Sequence, residues 1–253
     1  MKVQLLDHQH NALDLLIYAK ATRLQGQRSL DEVSRMPCHE KLNELEYMKR
    51  TIQSGFEFVR YIFQISDVSR AFTHQLVRTR HASYAQEAQR AVDVRDHGWI
   101  TPPGSDCHPY EYLMRRSVET YGDLIDMGMD RQDARNVLPT GLHTSIMMAV
   151  DLRTLMHMAE MRLCVRTQGE YQRVFKMMKG CVTGVHPWAE DLIAVHCVKH
   201  GTCCFPNFKH CPVSTQLPVL TYHTDSSLNN EVKSIWEATE YEEGPVAENG
   251  RTR

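Results

Sequence analysis

The stretch Arg78-Thr79-Arg80-His81-Ala82-Ser83-Tyr84-Ala85-Gln86-Glu87-Ala88-Gln89-Arg90 constrains this chain more than any other. It contains no long apolar run, so it does not read as a simple core element. Three arginines stand among small and amide-bearing residues. Each offers a planar fork of donors that matches phosphate and carboxylate oxygens. Ala82, Ala85 and Ala88 let a ligand come close to the backbone, so main-chain N–H groups can join in binding an anion. The segment reads as a phosphate-binding loop, with a solvated basic turn as the alternative.

The rest of the chain alternates helical patterns with a few strand-like runs. Leu13, Leu15, Leu16, Tyr18 and Ala19 predict an amphipathic helix within 8–24. Residues 30–47 predict a second helical stretch, interrupted at Pro37 because proline lacks the N–H a helix needs. Residues 56–65 are rich in aromatic and β-branched side chains and predict a strand, and 68–77 return to a helical pattern. Pro102-Pro103-Gly104-Ser105 marks a loop, with Asp106 as cap of a helix running to about Met129. Residues 142–150 suit a buried strand, and 151–162 and 170–182 suit helices. With no repeat and no regular βαβ rhythm, the pattern gives an α+β fold in one domain, residues 1–240. Its sheet is expected to be central and mixed or antiparallel. Residues 241–253 are expected to form a disordered tail.

With 253 residues, 42% hydrophobic and 24% charged, the chain suits a globular protein. A formal net charge of −2 argues against nucleic acid as partner, so any anion site must be local. No apolar run is long enough to span a membrane, and the first eight residues are too polar for a signal peptide. A reducing, cytoplasmic setting is the expectation, in which the eight cysteines are free thiols or ligands. The stretch from His196 to Cys204, with His210 and Cys211, suggests zinc, but buried thiols explain it equally well. No metal is assigned to it. No Walker loop, GxGxxG, GxSxG or HExxH pattern is present.

The arginine segment resembles the signature of flavin-dependent thymidylate synthases. Arg78, Arg80, Ser83, Gln86 and Arg90 fall in register with it, while Thr79 replaces its His and Ala88 its Ser. Val68-Ser69-Arg70 and His74-Gln75-Leu76-Val77 resemble the approach to that signature. Ser54-Gly55-Phe56-Glu57 is similar to the family's Ser-x-x-Glu element, with Ile52 and Phe58 where it usually carries histidines. Residues 134–139, Ala-Arg-Asn-Val-Leu-Pro, resemble another element. The run from Asp151 to Arg162 resembles a family helix in which Asp151 replaces Asn, and Arg166 replaces a later His.

The resemblance implies an α+β homotetramer that makes thymidylate from dUMP, with methylenetetrahydrofolate and NADPH as co-substrates and FAD as cofactor. Residue by residue, it implies that Arg78, Arg90 and Arg135 hold the nucleotide phosphate, with Gln75 and the chain at Gln86, Glu87 and Ala88 close by. Arg162 would face the pyrimidine carbonyl edge, and Arg162 and Arg78 would be the catalytic pair. Ser54, Glu57, Arg78, Arg80, His81, Asp151, Arg153, His157 and Arg166 would line the FAD site. The replacements at Thr79, Ala88, Asp151 and Arg166 leave two alternatives. One is a homologue acting on another pyrimidine nucleotide or making a 5-hydroxymethyl product. The other is an inactive nucleotide- or flavin-binding protein. Each residue also has a plain reading: Arg153 and Arg162 as surface charges, His157 as a core histidine, Arg135 as a cation at a helix C-terminus. Nine residues at 100° each put Arg153 and Arg162 about 180° apart, so one helix face cannot use both.

Overall fold

The computed structural model describes residues 1–24, 26, 28–105, 107–205 and 211. Asp106, His210 and the tail expected from residue 241 lie outside them. The chain opens with β1 (Lys2–His8), in which Val3 and Leu5 alternate with the exposed Lys2 and Gln4. Then come α1 (Ala12–Arg23), α2 (Leu30–Ser34) and α3 (Cys38–Lys49). The break between α2 and α3 falls at Pro37, as expected. Pro37 precedes α3, and its carbonyl accepts from the N–H groups of Glu40 and Lys41.

A 3-10 turn (Gln53–Phe58) leads into β2 (Arg60–Ser69), α4 (Arg70–Leu76) and β3 (Ala82–Gln86). After α5 (His108–Asp126) and α6 (Arg131–Ala134) come β4 (His143–Asp151), α7 (Leu152–Arg162), α8 (Gly169–Val185) and α9 (His196–His200). The α+β expectation holds, and the sheet is antiparallel throughout, in the order β1-β2-β4-β3. Three local expectations are corrected. The predicted strand at 56–65 starts later, because Gln53–Phe58 form a 3-10 turn and the pairing with β4 begins at Arg60. The helix from 108 stops at Asp126, and Gly128 follows with φ 89°. Residues 82–86, read as loop, are an edge strand paired to β4.

Alternation along β2 and β4 decides where the core sits. Tyr61, Phe63 and Ile65 of β2, with Ile146, Met148 and Val150 of β4, point to one face and are buried. α7 and α8 join the same core with Leu155, Met156, Tyr171, Val174, Phe175 and Met178. Burying such side chains contributes about 1.5–3 kcal/mol each, which anchors α7 and α8 to the sheet. The opposite face carries Ile62, Gln64, Met147, Ala149, Ser83 and Ala85, which stay half-buried or exposed. The β2 register shifts between Ile65 and Val68, and Asp67 takes a φ of 56° there, a conformation Asp tolerates better than most residues.

One buried polar pair ties the end of α8 to the sheet. The Tyr61 hydroxyl lies 2.9 Å from His186 Nδ1. Burial, followed by the neighbouring His8 and His10, pushes the His186 imidazole down to about 4 from its usual 6.5. The folded chain therefore disfavours protonation there, while the unfolded chain accepts a proton near pH 6.5. This contribution is complete above pH 6.5 and is lost as pH falls toward 4. Thermal midpoints should drop across that window. A His186→Asn variant should show a flatter profile, and parallel profiles for the two proteins would refute the assignment.

Candidate functional site

The arginine segment wraps an edge strand. Ala82, Tyr84 and Gln86 turn toward α4, and Ser83 and Ala85 turn away, because successive strand residues face opposite sides. The Tyr84 hydroxyl reaches the carbonyls of Leu76 and Thr79, both at 2.9 Å. Gln86 Nε2 donates to Thr73 Oγ1 at 2.8 Å. These bonds brace the turn between α4 and β3, which displays Arg78, Arg80 and His81 to solvent. Thr79 is part of the brace through its backbone: its N–H donates to Leu76 O at 3.0 Å. At the other end of β3, Ala88 accepts from the N–H groups of Ala91 and Val92, turning the chain at Arg90. Arg78, Arg80 and Arg90 are exposed, and their guanidinium groups have no hydrogen-bond or ion-pair partner among the described residues. Five strand residues at about 3.3 Å each separate the two ends by about 16 Å. Arg78 and Arg90 of one protomer therefore flank opposite ends of the strand and are not brought together.

A second cation pair forms where β3 ends. Arg70 Nη1 donates to the Glu87 carbonyl at 3.2 Å. Burial, and then the charge of Arg135, hold the Arg70 guanidinium below its usual value. Arg135 follows α6, and its Nε donates to the Gln132 carbonyl at 3.0 Å. The plain reading of Arg135 as a cation ending a helix is thus part of its role. The Glu87 side chain lies 2.7 Å from His97 Nε2. Arg70 was absent from the sequence-derived set. It stands in the Val68-Ser69-Arg70 run that resembles the approach to the signature, but no ligand role was read for it there.

α7 carries its residues on several sides. Asp151 caps it: Oδ1 accepts from Thr154 N–H at 2.8 Å and Oδ2 from Thr154 Oγ1 at 3.1 Å. Its carboxylate, expected at the flavin, also starts the helix. Arg153 forms an ion pair with Glu57, which joins α7 to the 53–58 turn and brings two of the sequence-derived residues together. Ser54 lines a mainly apolar groove of about 500 Å³ with Ile52, Phe58, Leu15 and Tyr18. His157 is exposed between the buried Met156 and Met158, so it is not a core histidine. Arg162 ends the helix on another side, its guanidinium 4.4 Å from the centre of the Tyr171 ring. Arg153 and Arg162 do address separate neighbours, as their spacing required. Gln75 hydrogen-bonds Gln168, just ahead of α8. Arg166 lies 4.3 Å from the Phe205 ring.

Two further residues escaped the sequence reading. Tyr171 carries Arg162 and packs edge-on against Phe72 at 4.9 Å. Glu170 is 5% exposed and accepts from Ser69 N–H at 2.7 Å and Ser69 Oγ at 2.5 Å. A carboxylate at the start of a helix is an ordinary cap signal, and nothing local announces a partner 101 positions away.

Comparison with known proteins gives the chain's family and fold. The family model described as thymidylate synthase complementing protein matches residues 4–188. A flavin-dependent thymidylate synthase of Geobacter sulfurreducens is 37% identical over 142 residues, 53% of this chain and 61% of that protein. One from Clostridium tetani is 30% identical over 226 residues, 80% of this chain and 90% of that protein. The fold matches the flavin-dependent thymidylate synthase ThyX of Helicobacter pylori, complexed with FAD and dUMP. There the TM-score is 0.62 at 19% identity, covering 77% of this chain and all of that one. It also matches the UMP/dUMP methylase PolB of Streptomyces cacaoi, bound with 5-Br dUMP. That TM-score is 0.61 at 18% identity, over 76% of this chain and 93% of the other. Among the described residues no helix is long and apolar enough to cross a membrane.

Proposed function

From the premise that this chain belongs to the thymidylate synthase complementing protein family, we propose that it transfers a one-carbon unit from methylenetetrahydrofolate to C5 of a pyrimidine nucleoside monophosphate, dUMP, using FAD and NADPH. The observation that carries this reading is the family match over residues 4–188. The chain spans 61% and 59% of the first two curated relatives and 89% of a third, from Pyrococcus furiosus.

The residues present fit FAD. A dinucleotide needs cations for its diphosphate and apolar surface for its rings. Arg78 and Arg80 offer guanidinium groups without partners among the described residues. The groove at Ser54 offers apolar walls. Bound flavin would supply the reducing equivalents that convert the transferred unit to a methyl group. Arg78, Arg80, His81, Ser54, Glu57, Arg153 and His157 would hold it, with Arg166 at its approach. Arg90 and Arg135, joined here by Arg70, would hold the nucleotide phosphate, with Gln75 and the Gln86–Ala88 backbone beside it. Arg162 would stabilise negative charge on the pyrimidine as C5 becomes nucleophilic.

The two ends of β3 suit a site shared between subunits, and we extend the proposal to a homotetramer. Among the described residues the sheet face bearing Ile62, Met147 and Ala149 is half-buried to exposed, which supports such assembly. The domain would close by residue 240. A cytoplasmic setting is part of the same reading.

The test is mass spectrometry of products after incubation with dUMP, methylenetetrahydrofolate, FAD and NADPH, alongside light scattering. Thymidylate formed by an oligomer carrying FAD is the expected result. A colourless protein that takes up no FAD, or an active monomer, refutes the corresponding part. Thr79 and Ala88, at two defining positions of the signature, favour a second reading: another pyrimidine nucleotide, or a 5-hydroxymethyl product. The product mass, with UMP and dCMP run in parallel, separates the two.

A further inference from the structure

α9 packs on α7 and brings two histidines of the Cys/His stretch to the last turn of that helix. His196 and His200 are four residues apart, the spacing that puts two side chains on one helix face and lets two imidazoles share an ion. Their rings lie 4.4 Å apart, centre to centre. Facing them is Glu160 of α7, half-buried, whose two oxygens divide between the pair. Oε2 lies 3.6 Å from His196 Nδ1, and Oε1 lies 3.5 Å from His200 Nε2. One ligand atom from each of the three residues falls within 4.8 Å of the other two, and no other such trio occurs among the described residues. Two atoms held about 2.0–2.1 Å from a tetrahedral zinc are about 3.3–3.4 Å apart, so small side-chain adjustments close the trio on an ion. His196 Nε2 also lies 3.3 Å from Thr202 Oγ1. A ring N–H donated there fixes the tautomer and leaves the Nδ1 lone pair toward Glu160, as metal-binding imidazoles require.

We propose that Glu160, His196 and His200 bind one zinc ion, which takes the place of the Lys199 ammonium on Glu160 and fastens α9 to the end of α7. Two imidazoles and a carboxylate are a ligand set that zinc takes, with water in the fourth position. The groups bind as neutral imidazoles and an ionised carboxylate, so no thiol has to lose a proton. Glu160 already attracts a cation: the Lys199 ammonium lies 2.6 Å from Oε1. Lysine suits exchange, because its charge is a compact, strongly hydrated point on a flexible stem. The His200 side chain is 48% exposed, which gives an ion a path in from solvent. Two residues at 100° each put Glu160 about 200° around α7 from Arg162, so the trio faces away from the proposed pyrimidine side. His196 and His200 also lie beyond residue 188, where the family match ends. The site is therefore a fastening of this chain's own, separate from the proposed transfer chemistry.

The test uses the full chain and zinc alone, titrated against a chromophoric zinc indicator, with cobalt as the spectroscopic probe. About one zinc per chain should bind and raise the thermal midpoint. Cobalt, which needs no variant, should give the weak visible bands of an ion held by nitrogen and oxygen, without the intense near-ultraviolet absorption of a cobalt thiolate. Losing a residue that only orients a ligand weakens metal binding about 10-fold to 100-fold, so Thr202→Val should fall in that range. His200→Ala and Glu160→Gln remove ligands and should lose more. His200 is exposed, so His200→Ala should keep the zinc-free thermal midpoint of wild type, which shows that the fold is intact. Lys199→Gln removes the competing ammonium and should bind zinc more tightly than wild type. No zinc uptake, cobalt–thiolate absorption, or wild-type zinc affinity in His200→Ala overturns the proposal. So does a Lys199→Gln chain that binds zinc no more tightly than wild type.

Discussion

Arg162→Ala is expected to lower turnover about 100-fold to 1,000-fold, the usual loss when one preorganised donor to a developing charge is removed. The geometry makes Arg162 preorganised. It ends α7, where the helix dipole favours a cation. Its guanidinium lies over the Tyr171 ring at 4.4 Å, and Tyr171 is fully buried and braced by Phe72. A side chain held this way needs little reorganisation when negative charge grows on a bound pyrimidine. The energetic cost to the fold is smaller. The cation–π contact contributes about 0.5–1 kcal/mol, so the thermal midpoint should move by about 2–4 °C or less. Arg162→Lys keeps the charge but loses the planar fork, and is expected to recover only part of the rate. Steady-state kinetics of both variants decide it. A raised KM with unchanged kcat would mean that Arg162 serves only ground-state binding. Wild-type kinetics would remove it from the site.

How much of this was legible depends on how local each signal is. The break at Pro37, α7 behind Asp151, and the opposed directions of Arg153 and Arg162 follow from rules that act within a few residues. β1 was legible too: Lys2-Val3-Gln4-Leu5 alternates polar and apolar, a half-buried strand pattern that was weighed only as a leader. β3 was not. Ala82-Ser83-Tyr84-Ala85-Gln86 lacks β-branched residues, and it is a strand because β4 offers it an open edge. The site shows the same division. Motif letters identified Glu57 and Arg153, and the structure joins them. They also grouped Arg78 with Arg90, and the strand between them keeps the two at opposite ends. Arg70 stood in a quoted motif without a role, and Glu170 acts through a partner 101 positions away, so no spacing rule could point to it. Asp151 has a second, local role that its motif letter did not announce. Its mismatch to the family letter suggested altered flavin chemistry, and its carboxylate also caps a helix.

Glu170→Ala is expected to destabilise the fold by about 2–4 kcal/mol, because it orphans two buried donors at about 1–3 kcal/mol each. At about 2–4 °C per kcal/mol for a chain of this size, the thermal midpoint should fall by about 5–15 °C. The buried carboxylate is stable where it is for a structural reason. It lies in the first turn of α8 and accepts from the N–H and hydroxyl of Ser69, the cap of α4. It therefore meets the positive N-terminal ends of two helices at once. Ser69 Oγ in turn accepts from Phe72 N–H at 3.0 Å, so one chain of bonds orients α4 on α8. α4 begins with Arg70 and leads to the Arg78–Arg80 turn, and α8 begins beside Tyr171, which carries Arg162. Loss of the carboxylate should therefore also weaken nucleotide affinity without touching a ligand. Glu170→Gln keeps an acceptor for the Ser69 N–H and should cost less than alanine. Ser69→Ala combined with Glu170→Ala should cost less than the sum of the two, because they break one network. Additive losses, or a Glu170→Ala midpoint equal to wild type, would show that the two helices are held together by packing alone.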